Sequence, residues 1–197
     1  TNGGDVSLIN SSEGVLYAEI SALANDGTFR EISLNDGTTN NVVEIRYSNT
    51  DNQFQFIVRN ANSAVVVSSF TLTDATQFNK IAFSYKTDDY KMYVNGVEVA
   101  TDTSGIMPSG LNKLSFDWGG ANPFFGNTKA LGVWKEALTD AELRSLTYPT
   151  PTAATFDLDF NTIATDFTFT RNSEATFVNA QGLIQSTNEL GAEEITN

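Results

Sequence analysis

Carboxylate and amide oxygens are the groups with which this sequence could hold a metal ion. The 197 residues contain neither cysteine nor histidine, which excludes disulfides, zinc and iron–sulfur centres, thiol catalysis and imidazole chemistry. A bound metal would be a hard cation held by oxygen, and calcium is the natural one. The candidate ligands are Asp26, Asp36, Asp117 and Asn122. Alternatively, these residues only form turns, a common role of Asp and Asn beside glycine. No other cofactor is expected.

Paired carboxylates could hydrolyse a glycosidic bond if they lay about 5 Å apart, or about 6.5–9.5 Å apart with inversion. Asp157 and Asp159 are two residues apart, so a strand would place both on one face. The apolar residues that alternate with them would then form the core face and leave both aspartates in solvent. Glu31 and Glu44 are isolated among polar neighbours in the sequence. We therefore predict no catalytic residue and no enzyme activity.

Glycan binding requires an exposed aromatic ring beside amide and carboxylate groups. Residues 116–123 offer the best local arrangement, with Asp117, Trp118 and Asn122 as candidate glycan-binding residues. If Trp118 belongs to the inward face of a strand, it is a core residue instead, as large aromatic side chains often are. Tyr93 is a fourth candidate. It points opposite to its apolar strand neighbours, either at the surface or between the sheets.

Short runs of alternating apolar and polar residues recur along the first 134 residues. Clear examples are residues 42–47, 53–58 and 81–85, each bounded by Asn, Asp, Gly or Ser, the pattern of antiparallel strands joined by turns. Asn95-Gly96 between two such runs predicts a tight hairpin, because a type I′ turn requires positive φ at both central residues. About ten strands in all predict an all-β, two-sheet antiparallel sandwich.

One short helix is predicted over residues 138–147. Thr139 is the expected N-cap, and Glu142 three residues later completes a capping box. Leu138 before the cap and Leu143 after it are spaced as a hydrophobic staple. The helix should end before Pro149, since the residue preceding a proline disfavours helical geometry.

The last 49 residues differ in character from the rest. We predict a domain over residues 1–148, followed by a Pro/Thr linker and an acidic β-strand extension over residues 149–197. The extension is too short for a core of its own. It should either fold back on its own sandwich or complete a sheet of a neighbouring subunit. The candidate assembly residues in it are Phe156, Leu158, Phe160, Phe167 and Phe169.

Charge and composition restrict the partners. With 11 basic and 24 acidic residues the net charge is −13, which argues against nucleic acid and anionic membrane surfaces. No apolar run is long enough to insert in a bilayer. A polar but weakly charged composition rich in Thr and Asn favours an extracellular or virion protein. The opening Thr-Asn-Gly-Gly suggests a processed product or a piece of a longer polypeptide.

Four segments in order resemble the laminin-G-like, concanavalin A-like jelly-roll superfamily. The segments are residues 79–86 (NKIAFSYK), 91–97 (KMYVNGV), 123–126 (PFFG) and 133–143 (VWKEALTDAEL). They resemble the family's consecutive elements hhva-Y, lYvnG, F-x-G-x-i and w-x-x-a-L-t-x-x-E-l, and the resemblance covers residues 5–148. Residues 167–184 are similar to a segment of bacteriophage tail and structural proteins, where it lies beside such jelly rolls.

The resemblance implies a jelly-roll fold and binding of glycans or proteins, sometimes through calcium. Its β-glucanases carry acidic residues in an E-x-D-x-x-E or E-x-D-x-E run on one strand, and this sequence has no such run. Where many relatives carry an acidic pair after F-x-G-x, this chain has Asn127-Thr128-Lys129-Ala130, and the lysine would repel a cation.

We therefore expect a non-enzymatic structural or adhesion module of a phage or secreted appendage. Its partners would be copies of itself or neighbouring domains of a larger polypeptide. The alternative is a lectin-like carbohydrate-binding module for a cell-surface glycan, and a β-glucan hydrolase is a distant third.

Overall fold

A computed structural model describes residues 6–149, 176–178 and 184–186. Residues 6–149 begin with a short 3-10 helix at Val6–Leu8 and form ten strands and one α-helix. The strands are β1 (Glu13–Ala22), β2 (Arg30–Asn35), β3 (Val42–Tyr47), β4 (Gln53–Asn60), β5 (Ser63–Thr71), β6 (Asn79–Lys86), β7 (Tyr90–Val94), β8 (Val97–Asp102), β9 (Lys113–Ser115) and β10 (Gly126–Trp134).

The ten strands form two antiparallel sheets of five strands each. Sheet A has the order β10-β1-β6-β7-β8, and sheet B has the order β5-β4-β3-β2-β9. The predicted all-β sandwich is confirmed. The predicted Asn95-Gly96 hairpin joins β7 and β8, with φ of 49° at Asn95 and 82° at Gly96. Strand β9 is short, since only Lys113–Ser115 pairs with β2.

The core lies between the inner faces of the two sheets. Alternation along β3 and β4 places Val43, Ile45, Phe54 and Phe56 in it, all fully buried. Phe56 and Phe83 meet edge to face across the sandwich at 5.5 Å, a favoured aromatic geometry. Because side chains alternate along a strand, the intervening residues of sheet B face outward.

Helix α1 (Asp140–Thr147) covers part of the outer face of sheet A. Thr139 caps it, and the reciprocal Glu142 hydrogen bonds complete the predicted capping box. The fully buried Leu143 packs with Val15 and Tyr93 in a small second apolar cluster. The helix therefore occupies the outer face of sheet A and leaves that of sheet B free for other residues.

The chain divides into two compact units, residues 1–150 and 151–197. In the second unit the described residues are β11 (Thr176–Val178) and β12 (Ile184–Ser186), which pair antiparallel. The predicted assembly residues Phe156, Leu158, Phe160, Phe167 and Phe169 lie outside the described residues. In the part of the chain that the structure describes, no helix is long and apolar enough to cross a membrane.

Candidate functional site

The outer face of sheet B carries charged side chains that are buried. Glu31 on β2 and Glu44 on β3 are each 0% exposed, and the Arg46 side chain is 13% exposed. Arg59 on β4 is half-buried. Charged side chains are almost never fully buried unless they are paired. These four residues are called the outer-face cluster below.

Strand register brings the cluster together. Glu31 is directly opposite Arg46 across β2 and β3, and Arg46 is opposite Gln55 across β3 and β4. Glu44 lies two residues before Arg46, so both side chains point outward. The cluster thus combines residues from three consecutive strands, β2, β3 and β4.

Arg46 connects the members of the cluster. Its Nη1 lies 3.2 Å from Glu31 Oε1 and 3.4 Å from Glu44 Oε1. Its Nε donates to Gln55 Oε1 at 2.9 Å, and its guanidinium lies 4.6 Å from the centre of the Phe29 ring. Two carboxyl groups therefore converge on a single guanidinium nitrogen.

A loop of residues 117–122 lies across the cluster and is called the cover loop below. Ser33 Oγ, on the outer face of β2, donates to the Asp117 carbonyl oxygen at 2.6 Å. Asn122 Nδ2 donates to Glu31 Oε1 at 3.0 Å. The Arg59 guanidinium lies 4.8 Å from the centre of the Trp118 ring, within cation–π range.

The cover loop has a tight backbone that depends on glycine. Trp118 and Ala121 exchange two backbone hydrogen bonds around Gly119 and Gly120, whose φ angles are 56° and 101°. A Cβ atom at Gly119 would collide with the carbonyl oxygen of Thr38. The close approach of these two loops therefore fixes where Trp118 lies.

Several buried polar atoms of the outer-face cluster and the cover loop have no hydrogen-bond partner among the described residues. They are Glu31 Oε2, Glu44 Oε1 and Oε2, Arg59 Nε and Trp118 Nε1. Most buried polar groups in folded proteins are partnered, so such a concentration calls for an explanation.

The electrostatics of the cluster favour an anion. Burial, followed by the nearby Glu31 carboxylate, raises the pKa of Glu44 to about 8 against the opposing effect of Arg46 and Arg59. Burial also raises the pKa of Glu31, which the Asn122 hydrogen bond and Arg46 oppose. At pH 7 a neutral Glu44 leaves two guanidinium charges facing the Glu31 carboxyl group alone.

The structure brings three of the four predicted glycan-binding residues to this cluster. Asp117, Trp118 and Asn122 belong to the cover loop. The interpretation of Trp118 as a core residue is wrong, because the chain leaves β9 at Ser115 and crosses the outer face instead. The prediction of Tyr93 as a glycan-binding residue is wrong. Tyr93 is 1% exposed on sheet A, in the cluster beneath α1, with its hydroxyl donating to Glu98, and no glycan could reach it there.

The predicted calcium ligands already have other partners. Both oxygens of Asp26 accept from Arg30 Nη2, at 2.9 and 3.0 Å, and this bond is the main reason that the pKa of Asp26 is lowered. Asp36 accepts from Thr38 and Asn41, and these bonds likewise lower its pKa. Within the described ranges no group of three or more acidic side chains could hold a metal ion.

The sequence-based view of Glu31 and Glu44 as isolated is also wrong. Alternation correctly placed Glu44 and Arg46 on one face of a strand, but the partner strands and their register were unknown. The pairing of Glu31 with Arg46, 15 positions apart, was the missing information. The charged residues at the outer positions 31, 44, 46 and 59 were the sequence pattern that could have indicated a polar site, although the apolar Ile57 shares this face.

The sequence of the sandwich matches a known family. A family model described as the concanavalin A-like lectin/glucanases superfamily, Laminin_G_3, matches residues 7–144. The chain belongs to this superfamily. The matched region of this chain ends within α1 and therefore includes both sheets and the outer-face cluster. No curated protein matches the chain in sequence.

Solved structures share the fold at low sequence identity. One is the CBM40 of the Ruminococcus gnavus IT-sialidase bound to α2,3 sialyllactose, at 17% identity and a TM-score of 0.60, with 75% of this chain and 89% of that chain covered. The leech intramolecular trans-sialidase matches at 17% identity and a TM-score of 0.59, with 76% and 25% covered. The NanB sialidase from Streptococcus pneumoniae matches at 18% identity and a TM-score of 0.57, and the match covers 74% of this chain and 26% of that chain. This chain thus spans only about a quarter of the two full sialidases.

Proposed function

We propose that residues 6–149 form a carbohydrate-binding module, with the outer face of sheet B and the cover loop as its binding surface. The observation that carries the proposal is the pair of buried donors Arg59 Nε and Trp118 Nε1, which have no hydrogen-bond partner among the described residues. Sugars supply dense arrays of hydroxyl donors and acceptors, and acceptors are the groups that these two donors lack. An aromatic ring beside them is a further common feature of ligand sites.

The ligand that fits best is an acidic sugar. A guanidinium group binds a carboxylate through parallel, charge-assisted hydrogen bonds, and Arg46 and Arg59 lie on neighbouring strands of one face. With Glu44 neutral, the two guanidinium groups outnumber the single Glu31 charge within the outer-face cluster, although the chain carries −13 overall. The likeness to a module solved with α2,3 and with α2,6 sialyllactose agrees with this choice, since both trisaccharides carry one carboxylate.

We keep the prediction that this module is not an enzyme. Glu31 and Glu44 are fully buried and converge on one nitrogen of Arg46, so neither is free to flank a glycosidic bond. The comparisons favour carbohydrate binding over the structural phage role that the sequence first suggested. Association with copies of itself or with neighbouring domains through the C-terminal extension stays a prediction, as does an extracellular location beside a glycan partner.

Arg59 is the residue with which to test the proposal. We expect Arg59→Gln to lose at least about tenfold in affinity for 3′-sialyllactose, because a charge-assisted hydrogen bond contributes about 1.5–3 kcal/mol. Arg59→Lys keeps the charge and should lose less. Isothermal titration calorimetry at pH 6.5 measures both, with lactose as the uncharged comparison ligand.

Arg144→Gln is the matched control. It also removes one positive charge, but from the exposed surface of α1 beside sheet A. Equal affinity of Arg59→Gln and the parent protein, or equal binding of lactose and sialyllactose, would contradict the proposal. Thermal unfolding of each variant verifies that the fold is retained.

A further inference from the structure

We propose that Glu44 is a buried carboxylic acid whose single proton, shared with Glu31, keeps the site positive enough to bind its acidic ligand. Glu44 is here a positioning residue that acts through Arg46 and does not touch the sugar. The inference rests on the proposed function for the nature of the ligand, but the shared proton does not depend on it.

The geometry supports a shared proton. Oε1 of Glu31 and Oε1 of Glu44 both lie within 3.4 Å of Arg46 Nη1, so the two carboxyl groups are neighbours in a site shielded from water. Glu31 Oε2 and both Glu44 oxygens accept no hydrogen bond from the described residues. Two like charges this close in a buried site repel each other, so one of the two carboxyl groups holds its proton to a higher pH than an exposed glutamate does.

Charged and polar side chains from β3, β4 and the cover loop surround the Glu31–Glu44 pair. Arg46 on β3 and Arg59 on β4 supply the positive charges. From β4, Gln55 accepts from Arg46. From the cover loop, Asn122 donates to Glu31, and the Asp117 carboxylate accepts from Gly120 within its own loop. Within the four residues of the outer-face cluster, one ionised and one neutral carboxyl group against two guanidinium groups leave a net charge of +1, which the Asp117 carboxylate of the cover loop reduces.

Loss of the proton would change the function of the site. When Glu44 ionises, the two carboxylates match the two guanidinium charges and the net attraction for an anion disappears. Ligand affinity must then fall as the pH rises through the pKa of Glu44, which lies near 8. By linkage, an anion bound beside the pair favours the protonated form, so binding near pH 8 takes up a proton from the buffer.

The first measurement needs no ligand. A titration of the side-chain ¹³C carboxyl resonances from pH 4 to pH 10, assigned with Glu44→Gln and Glu31→Gln, reports when each group ionises. We expect the Glu44 resonance to titrate well above pH 6. A Glu44 resonance that titrates near pH 4.5, like an exposed glutamate, would overturn the inference.

The second measurement uses 3′-sialyllactose. We expect the dissociation constant of the parent protein to rise about tenfold between pH 7 and pH 9, as expected for the loss of one unit of nearby charge. Glu44→Gln, which stays neutral, should keep its affinity over this range, and the exposed control Glu136→Gln should behave like the parent. A pH profile of Glu44→Gln parallel to that of the parent would overturn the inference.

The two failures are distinguishable. If no protein binds the trisaccharide at pH 6, the proposed function fails, and the ¹³C titration alone still decides whether the proton is shared. If binding occurs without any pH dependence, the acidic-sugar proposal survives and the role of Glu44 is lost.

Discussion

At the scale of single residues, the most unusual feature is Glu44, a carboxyl group buried in the face of a sheet. Burying a charged carboxylate costs several kcal/mol, and a buried group commonly becomes neutral instead. Arg46 compensates only part of that cost because it also faces Glu31. A neutral Glu44 reconciles its complete burial with only two nearby arginine charges.

The raised pKa of Glu44 predicts a pH dependence of stability. The folded protein holds a proton up to about pH 8, whereas the unfolded chain loses it near pH 4.5. Unfolding between these values releases a proton, so this group's contribution to the free energy of unfolding falls as pH rises, by up to about 1.4 kcal/mol per pH unit. Below pH 4.5 the contribution is fully present, and above about pH 8 it is lost.

Glu44→Gln removes this contribution. Urea denaturation at pH 5, 6, 7 and 8 should show the stability of the parent falling relative to that of the variant as pH rises. Titrating groups that do not interact with Glu44 are common to both proteins and cancel in the difference, whereas Glu31 adds to the contribution of the pair. A difference that is constant with pH would show that Glu44 ionises normally in the folded state.

The sequence alone predicted only part of the candidate site. Period-two alternation assigned inner and outer faces of β3 and β4 correctly, including Glu44 and Arg46. It could not show that Glu31 lies opposite Arg46, because strand order and register depend on contacts between distant residues. Tyr93 was misplaced as a site residue for the same reason, since α1, which buries it, lies almost 50 positions later in the chain.

At the scale of elements, local rules explain the helix and the turns. Asn95-Gly96 and the capping box are determined by hydrogen bonds and φ angles within a few residues, so both were readable from the sequence. The cover loop was not, because its course depends on Gly119 fitting against the Thr38 carbonyl oxygen. Its residue types are those of an ordinary turn.

The capping box gives a prediction for α1. Thr139→Ala removes the side chain that accepts from the Glu142 backbone N–H and should lower the free energy of unfolding by about 1 kcal/mol. Ser145→Ala in the same helix changes an exposed residue and should have little effect. Chemical denaturation of both variants measures the difference, and equal stabilities would show that the cap does not contribute.

Glycan affinity should be unaffected by Thr139→Ala under conditions where the protein is folded. The helix covers sheet A, whereas the outer-face cluster belongs to sheet B. The same variant therefore separates stability from binding, since it changes the first and not the second.

At the scale of the whole molecule, the two sheets have different outer surfaces. Sheet A is covered by an apolar cluster and a helix, and sheet B by a charged cluster and a loop. The inner faces of the two sheets build the core. The proposed binding surface on the outer face of sheet B is therefore separated from this core by the sheet itself.

The most direct test of the account is to map where an acidic glycan binds. Amide ¹H–¹⁵N spectra of the full chain, titrated with 3′-sialyllactose at pH 6.5, should show shifts at Ser33, Arg46, Arg59 and residues 117–122. The amides of α1 and β7 should stay unchanged, and lactose should cause little change anywhere. Shifts that cluster on α1 or on sheet A, or no shifts at saturating trisaccharide, would contradict a binding site on the outer face of sheet B.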